Sequence, residues 1–181
     1  GVAPDGNSPF EGDLDEVRIY DIALTEEEII EMYVRESGIK RLDVGLVGYW
    51  PFLAGASTEA RDHSGYNNHG TLTNMTDADW VTGKVGYGLD FDGSNDYVNV
   101  PYSADYMNQR ITVSTWFKRD STGVYGALID NTEVDDYDGW LFSSNDDNTI
   151  SFDVVDATTG YTADATIGTS LDWHHAVGTF D

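Results

Sequence analysis

The residues of this chain that could do chemistry are mostly carboxylates, and they gather between apolar runs. "ARDHSGYNNHG" offers Asp62, Asn67 and Asn68 around a glycine-containing turn. A hard cation such as calcium takes roughly six to eight oxygen ligands of this kind from irregular loops. The same residue types build Asx turns, in which Asp and Asn bond their own backbone, so both readings stand. "DFDGSND" at 90–96 invites the metal reading too, but it lacks EF-hand spacing, and a tight hairpin explains Asp92 and Gly93 equally well. A third cluster, "DNTEVDDYDG" at 130–139, is the densest. Aromatic faces stack on pyranose rings while carboxylates accept hydroxyl hydrogen bonds. Tyr125, Asp135, Asp136, Tyr137, Asp138 and Trp140 therefore form a candidate sugar-binding rim, with a second calcium through the three Asp. The alternative is a solvated acidic loop.

Catalysis finds less support. Glycoside hydrolysis needs two carboxylates about 5 to 9.5 Å apart across the scissile bond. The 130–139 cluster is loop-like, and Asp153 and Asp156 in "FDVVD" fall on opposite faces of a strand. Adjacent His174 and His175 also diverge, no H-E-x-x-H occurs, and the absence of Cys removes any thiol nucleophile. The chain is expected not to be an enzyme.

The elements that must hold these residues are nearly all strands. "LVGYWPF", "YGLDFDG", "DYVNV", "ITVSTWFK", "GVYGALID", "GWLFS", "TISFDVV", "YTADATI" and "WHHAVGTF" are β-branched or aromatic and mostly alternate. Turn residues separate them, as in Asp92-Gly93-Ser94-Asn95 and Thr158-Thr159-Gly160. Trp50, Trp116 and Trp173 fall in well-patterned strands and are expected in the core. One helix is predicted over Glu26–Tyr33: Thr25 and Glu28 make a capping box, and Leu24 with Ile29 a hydrophobic staple. It is too short to persist undocked.

Nine Lys and Arg face 33 Asp and Glu, a formal net charge of −24. Such a surface repels phosphate backbones and anionic membranes, so nucleic acid and membrane insertion are poor expectations. Self-repulsion of this size calls for screening salt or bound cations. No apolar run approaches the ~20 residues of a membrane helix. The first residue is Gly rather than Met, as expected of a piece of a longer precursor.

"GLVGYWPFLAGASTEARDHSGYNNHGTLTN", with its Y-W-x-F strand and D-x-S-G-x-x-N-x-G loop, resembles the opening of a laminin-G-like domain of the concanavalin A-like superfamily. "GYGLDFDGSNDYVNVP", "ITVSTWFKRD" and "WHHAVGTFD" resemble its later strands, so the resemblance covers about 45–181. "PFEGDLDEVRIYDIALTEEEI" resembles the family's closing strand and helix, standing ahead of its body. The family pieces between "WHHAVGTFD" and that closing strand are missing. The order implies either a tandem fragment or a circular permutant. The resemblance divides the chain into a closing strand and helix at 1–34, a linker at 35–44 and a jelly-roll body at 45–181, with "LDEVRIY" beside "LVGYWPF". It implies an all-β, two-sheet antiparallel jelly roll with one short helix. It also implies a structural calcium that Asp15 would join with Asp62, Asn67 and Asn68. Catalytic relatives carry an E-x-D-x-x-E strand that this chain lacks. The expectation is a non-catalytic extracellular module that binds a carbohydrate or cell-surface glycan and holds calcium. The alternatives are a spacer repeat of a surface adhesin or surface-layer protein, and a unit that exchanges strands with neighbouring copies.

Overall fold

The computed structural model describes residues 9–26, 28–29, 45–106, 110–132, 139–155 and 159–181. Its strands run β1 (Glu11–Tyr20), β2 (Leu46–Trp50), β3 (Glu59–Ala60), β4 (Gly70–Thr73), β5 (Trp80–Thr82), β6 (Tyr87–Asp92) and β7 (Tyr97–Asn99). Then come β8 (Ile111–Arg119), β9 (Gly126–Asp130), β10 (Gly139–Ser144), β11 (Thr149–Val155), β12 (Gly160–Thr166) and β13 (His174–Phe180). The chain is all-β, and the strands pair antiparallel.

The larger sheet has the order β13-β8-β1-β6-β5, with β2 as a further partner of β1. A four-stranded sheet runs β12-β11-β10-β9, and β3-β4-β7 form a smaller third sheet. One apolar cluster joins the first two sheets. Leu14, Val17, Val47, Trp50, Leu89, Val113 and Phe117 come from the larger, and Leu128, Trp140, Phe142, Ile150 and Phe152 from the other.

β1 organises the larger sheet. Its second half lies beside β2, with Val17 opposite Trp50 and Arg18 opposite Tyr49. Its first half pairs with β6 on that same side, and β8 flanks it on the other. The change of neighbour coincides with a break in the β8 register between Asp15 and Arg18, where Glu16 takes a left-handed φ of 53°. An extra residue in one strand bends it and sharpens its twist, which lets a single strand serve two partners on one side. The first half also runs unusually close to β8. A Cβ at Gly12 would stand 2.0 Å from the Lys118 carbonyl oxygen, so only glycine fits there.

Beyond β1 the capping box is formed. The Thr25 N–H donates to Glu28 Oε2 at 2.8 Å, the Glu28 N–H to Thr25 Oγ1 at 3.3 Å, and the Ile29 N–H to the Thr25 carbonyl. The rest of the helix expected to Tyr33 lies outside the described residues, as does the 35–44 linker. Tyr20, Leu24 and Leu46 make a second, separate apolar cluster with Ile22, Ile29 and Val177 packed on it. Since Tyr20 pairs with Leu46 and Thr112 across the sheet, this cluster caps one end of the face turned away from the main core.

Candidate functional site

The alternation of β8 sorts its side chains cleanly. Ile111, Val113 and Phe117 are at most 1% exposed and point into the core. Thr112, Ser114, Trp116 and Lys118 take the opposite, outer face. Register then assembles that face row by row. Asp90, Asp13 and Lys118 share one row, Asp15, Trp116 and His175 the next, and Tyr49, Arg18 and Ser114 a third. Of the six basic residues among the described ones, Arg18, Lys84 and Lys118 gather here. Lys84 Nζ lies 4.6 Å from the centroid of the Trp116 ring, and Lys118 Nζ 5.8 Å from that of Trp173. Trp116 and Trp173 are therefore partly exposed beside charged groups, not core residues as expected. Trp50 is in the core, where its Nε1 donates to the Asn68 carbonyl.

Carboxylates complete the face. Asp13 is ion-paired to Lys118. Asp90 is pushed up to about 6, first by burial and then by the charges of Asp13 and Asp120, and it hydrogen-bonds Asp13. Asp15 is fully buried: Oδ1 accepts from the Glu16 N–H at 2.7 Å and Oδ2 from the Val85 N–H at 2.8 Å. Burial raises its pKa to about 7 although those N–H groups pull the other way. Gly83 makes room for it, since a Cβ there would lie 2.6 Å from Oδ2. Asp15 thus fastens the 83–87 hairpin, which carries Lys84, to the middle of the sheet. Glu16 is ion-paired to Arg18 and accepts from the Tyr49 hydroxyl at 3.0 Å. The two neighbouring histidines diverge as alternation requires: His174 stacks on Phe117, and His175 Nε2 lies 2.9 Å from Ser114 Oγ. Burial, then the nearby Arg18 charge, lowers His175 to about 4.

The residues expected to hold metal meet different partners. Asp62 Oδ1 accepts from the Tyr49 and Ser64 N–H groups, and Oδ2 from Ser64 Oγ and the Asn68 N–H. These bonds outweigh burial and keep its pKa below the ordinary value. Asn67 is exposed in a left-handed turn with φ 62°, and Asn68 Nδ2 donates to the Val47 carbonyl. Asp62 therefore builds an Asx-type loop that docks on β2, whereas Asp15 is committed to the 83–87 hairpin. Among the described residues, no group of three or more Asp, Glu or His side chains is arranged for a metal. The side-chain oxygens of Asp15 and Asp62 are thus taken up by the chain's own donors.

The expected sugar-binding rim divides. Asp135, Asp136, Tyr137 and Asp138 lie outside the described residues. Tyr125 is exposed ahead of β9. Trp140 is a correction: it is 3% exposed, its Nε1 donates to the Tyr106 carbonyl, and its ring packs near Phe152. β10 alternation turns it inward, where it lines an apolar cleft of about 480 Å³ with Trp50, Tyr97, Tyr102 and Asn131.

Residues 92–181 match a laminin-G model described as the concanavalin A-like lectin/glucanases superfamily. No curated protein and no solved structure matches the chain.

Proposed function

We propose, from the premise that residues 92–181 belong to the concanavalin A-like lectin/glucanase superfamily, that the chain is a non-catalytic carbohydrate-binding module of jelly-roll type. Its binding surface is the outer face of the larger sheet. The observation that carries this reading is the pair of outward, partly exposed tryptophans, Trp116 and Trp173, set among Asp13, Asp90, Lys84 and Lys118. Indole faces supply stacking area and the charged groups supply hydroxyl partners, which is how mostly apolar sites gain orientation. The carboxylates argue for binding over hydrolysis. Asp13 and Asp90 hydrogen-bond each other, closer than the ~5 Å that leaves room for a glycosidic bond. An extracellular or cell-surface setting fits the acidic surface.

A panel of neutral and uronic-acid oligosaccharides tests the reading. Trp116→Ala and Trp173→Ala are expected to weaken binding about tenfold or more, as truncation of buried aromatic anchors does. Binding unchanged in both folded variants overturns it. Calcium is left out of the proposal because the chain's own donors occupy both oxygens of Asp62. The melting temperature is expected to stay constant from micromolar to millimolar Ca²⁺ at fixed ionic strength; a saturable rise would restore a site through ligand linkage.

A further inference from the structure

Arg119 ends β8 on its inner face, opposite Gly12, and is only 3% exposed. Its guanidinium donates to uncharged oxygens: the Gly168 carbonyl at 2.7 Å, the Ser170 carbonyl at 3.3 Å and Asn148 Oδ1 at 3.4 Å. Arg119 Nε is buried without a hydrogen-bond partner, and so is Oγ of Ser144, itself 1% exposed. Both residues line the same small cavity with Phe10, Val124, Tyr125 and Gly126. Glu11 borders it as well, but its side chain runs along Gly93, and no ion pair joins it to Arg119 among the described residues. The volume, about 10 Å³, is at the lower limit for a single water-sized guest, so a larger ion would need the lining to give slightly.

We propose that this cavity is a binding site for one monovalent inorganic anion of halide type, held by the Nε–H of Arg119 and the hydroxyl of Ser144. A buried charge is normally paired, and among the described residues no carboxylate forms an ion pair with Arg119, although Glu11 borders the cavity. Burial depresses the guanidinium's pKa. A halide neutralises the charge and satisfies both orphaned donors, whereas a water satisfies the donors only. The anion would tie the residue preceding β1, the segment ahead of β9 and the end of β10 to β8. This is separate from the proposed glycan surface, since Arg119 faces inward and Lys118 outward.

The test compares sodium chloride, bromide and gluconate at one fixed ionic strength, which removes general screening of the acidic surface. The melting temperature is expected to rise by a few degrees and saturate as chloride or bromide replaces gluconate. Ser144→Ala, which removes one donor and no charge, is expected to fold and to lose most of that rise. Crystals grown in bromide are expected to show anomalous density within hydrogen-bonding distance of Arg119 Nε. Equal melting in all three salts, a rise that Ser144→Ala retains, or an ordered water at the site in bromide overturns the proposal. So does bromide density there without any effect on melting, which marks an adventitious ion only.

Discussion

Replacing Glu16 by Ala is expected to destabilise the fold by about 3 kcal/mol or more, the cost of removing one partner of a buried ion pair. The side chains of Glu16 and Arg18 are 8% and 16% exposed, and among the described residues Arg18 would keep the Tyr49 hydroxyl, at 3.4 Å, as its hydrogen-bond partner. Backbone geometry adds a second effect of opposite sign for one substitution. A non-glycine residue in the left-handed region costs about 1–2 kcal/mol. Glu16→Gly is therefore expected to be milder than Glu16→Ala by about that amount, although it removes the same carboxylate. Urea unfolding of both variants checks the order. Equal losses would place the whole effect in the ion pair, and a more stable Ala variant would contradict the assignment of φ strain at the bulge.

Asp15→Asn is the second large effect. The carboxyl accepts two backbone N–H bonds through different oxygens. An amide can accept one and must point its NH₂ at the other donor. Leaving a buried donor unsatisfied costs about 1–3 kcal/mol. The pH dependence carries the diagnostic sign. Asp15 titrates near 7 in the folded chain against an ordinary value of 3.8, so between those values the folded state holds the extra proton. Its contribution to stability is fully present below about pH 4 and is lost as the pH rises to 7. Asp90, raised to about 6, acts the same way over a narrower window. His175, lowered to about 4 from 6.5, opposes both: stability from its neutral ring is lost as the pH falls from 6.5 toward 4. The wild-type melting temperature should therefore begin to rise on acidification near pH ~7.5 and keep rising toward pH ~4, because Asp15 and Asp90 together outweigh the opposing His175. In Asp15→Asn most of that rise should vanish, since Asp90 and His175 nearly offset each other, and the destabilisation should shrink toward pH 8. A variant whose profile matches the wild type would sink the assignment.

Much of the framework was legible in the sequence. Alternation marked the strands, turn residues marked their ends, and "LDEVRIY" stands beside "LVGYWPF". Its central place in the larger sheet was not legible, because pairing with β6 and β8 depends on register across some 70–100 residues. The bulge at Glu16 leaves no mark either, since the position carries no glycine to advertise a left-handed turn. Trp116 shows a different failure. Being aromatic within a strand suggested core, yet Ile111, Val113 and Phe117 already set the phase that turns residue 116 outward. Trp140 failed in reverse, its neighbourhood of acids suggesting a rim although Phe142 shares its inward face. For Asp62 the sequence leaves metal ligand and Asx turn equally open, because which donors fill a carboxylate is a tertiary matter. The outer-face site joins Asp13, Lys84, Trp116 and Trp173 from distant segments, so no local spacing could announce it.

Five tryptophans in distinct environments offer the most direct test of the glycan-binding face. The indole N–H groups of Trp50, Trp80 and Trp140 are bonded to backbone carbonyls in buried positions, whereas Trp116 and Trp173 stand on the outer sheet face. Titrating ¹⁵N-labelled protein with the strongest-binding oligosaccharide of the panel should shift the indole resonances of Trp116 and Trp173 and leave the other three in place. Shifts confined to Trp50 and Trp140 would move binding to the inner cleft and contradict the account, as would the absence of any oligosaccharide that moves Trp116.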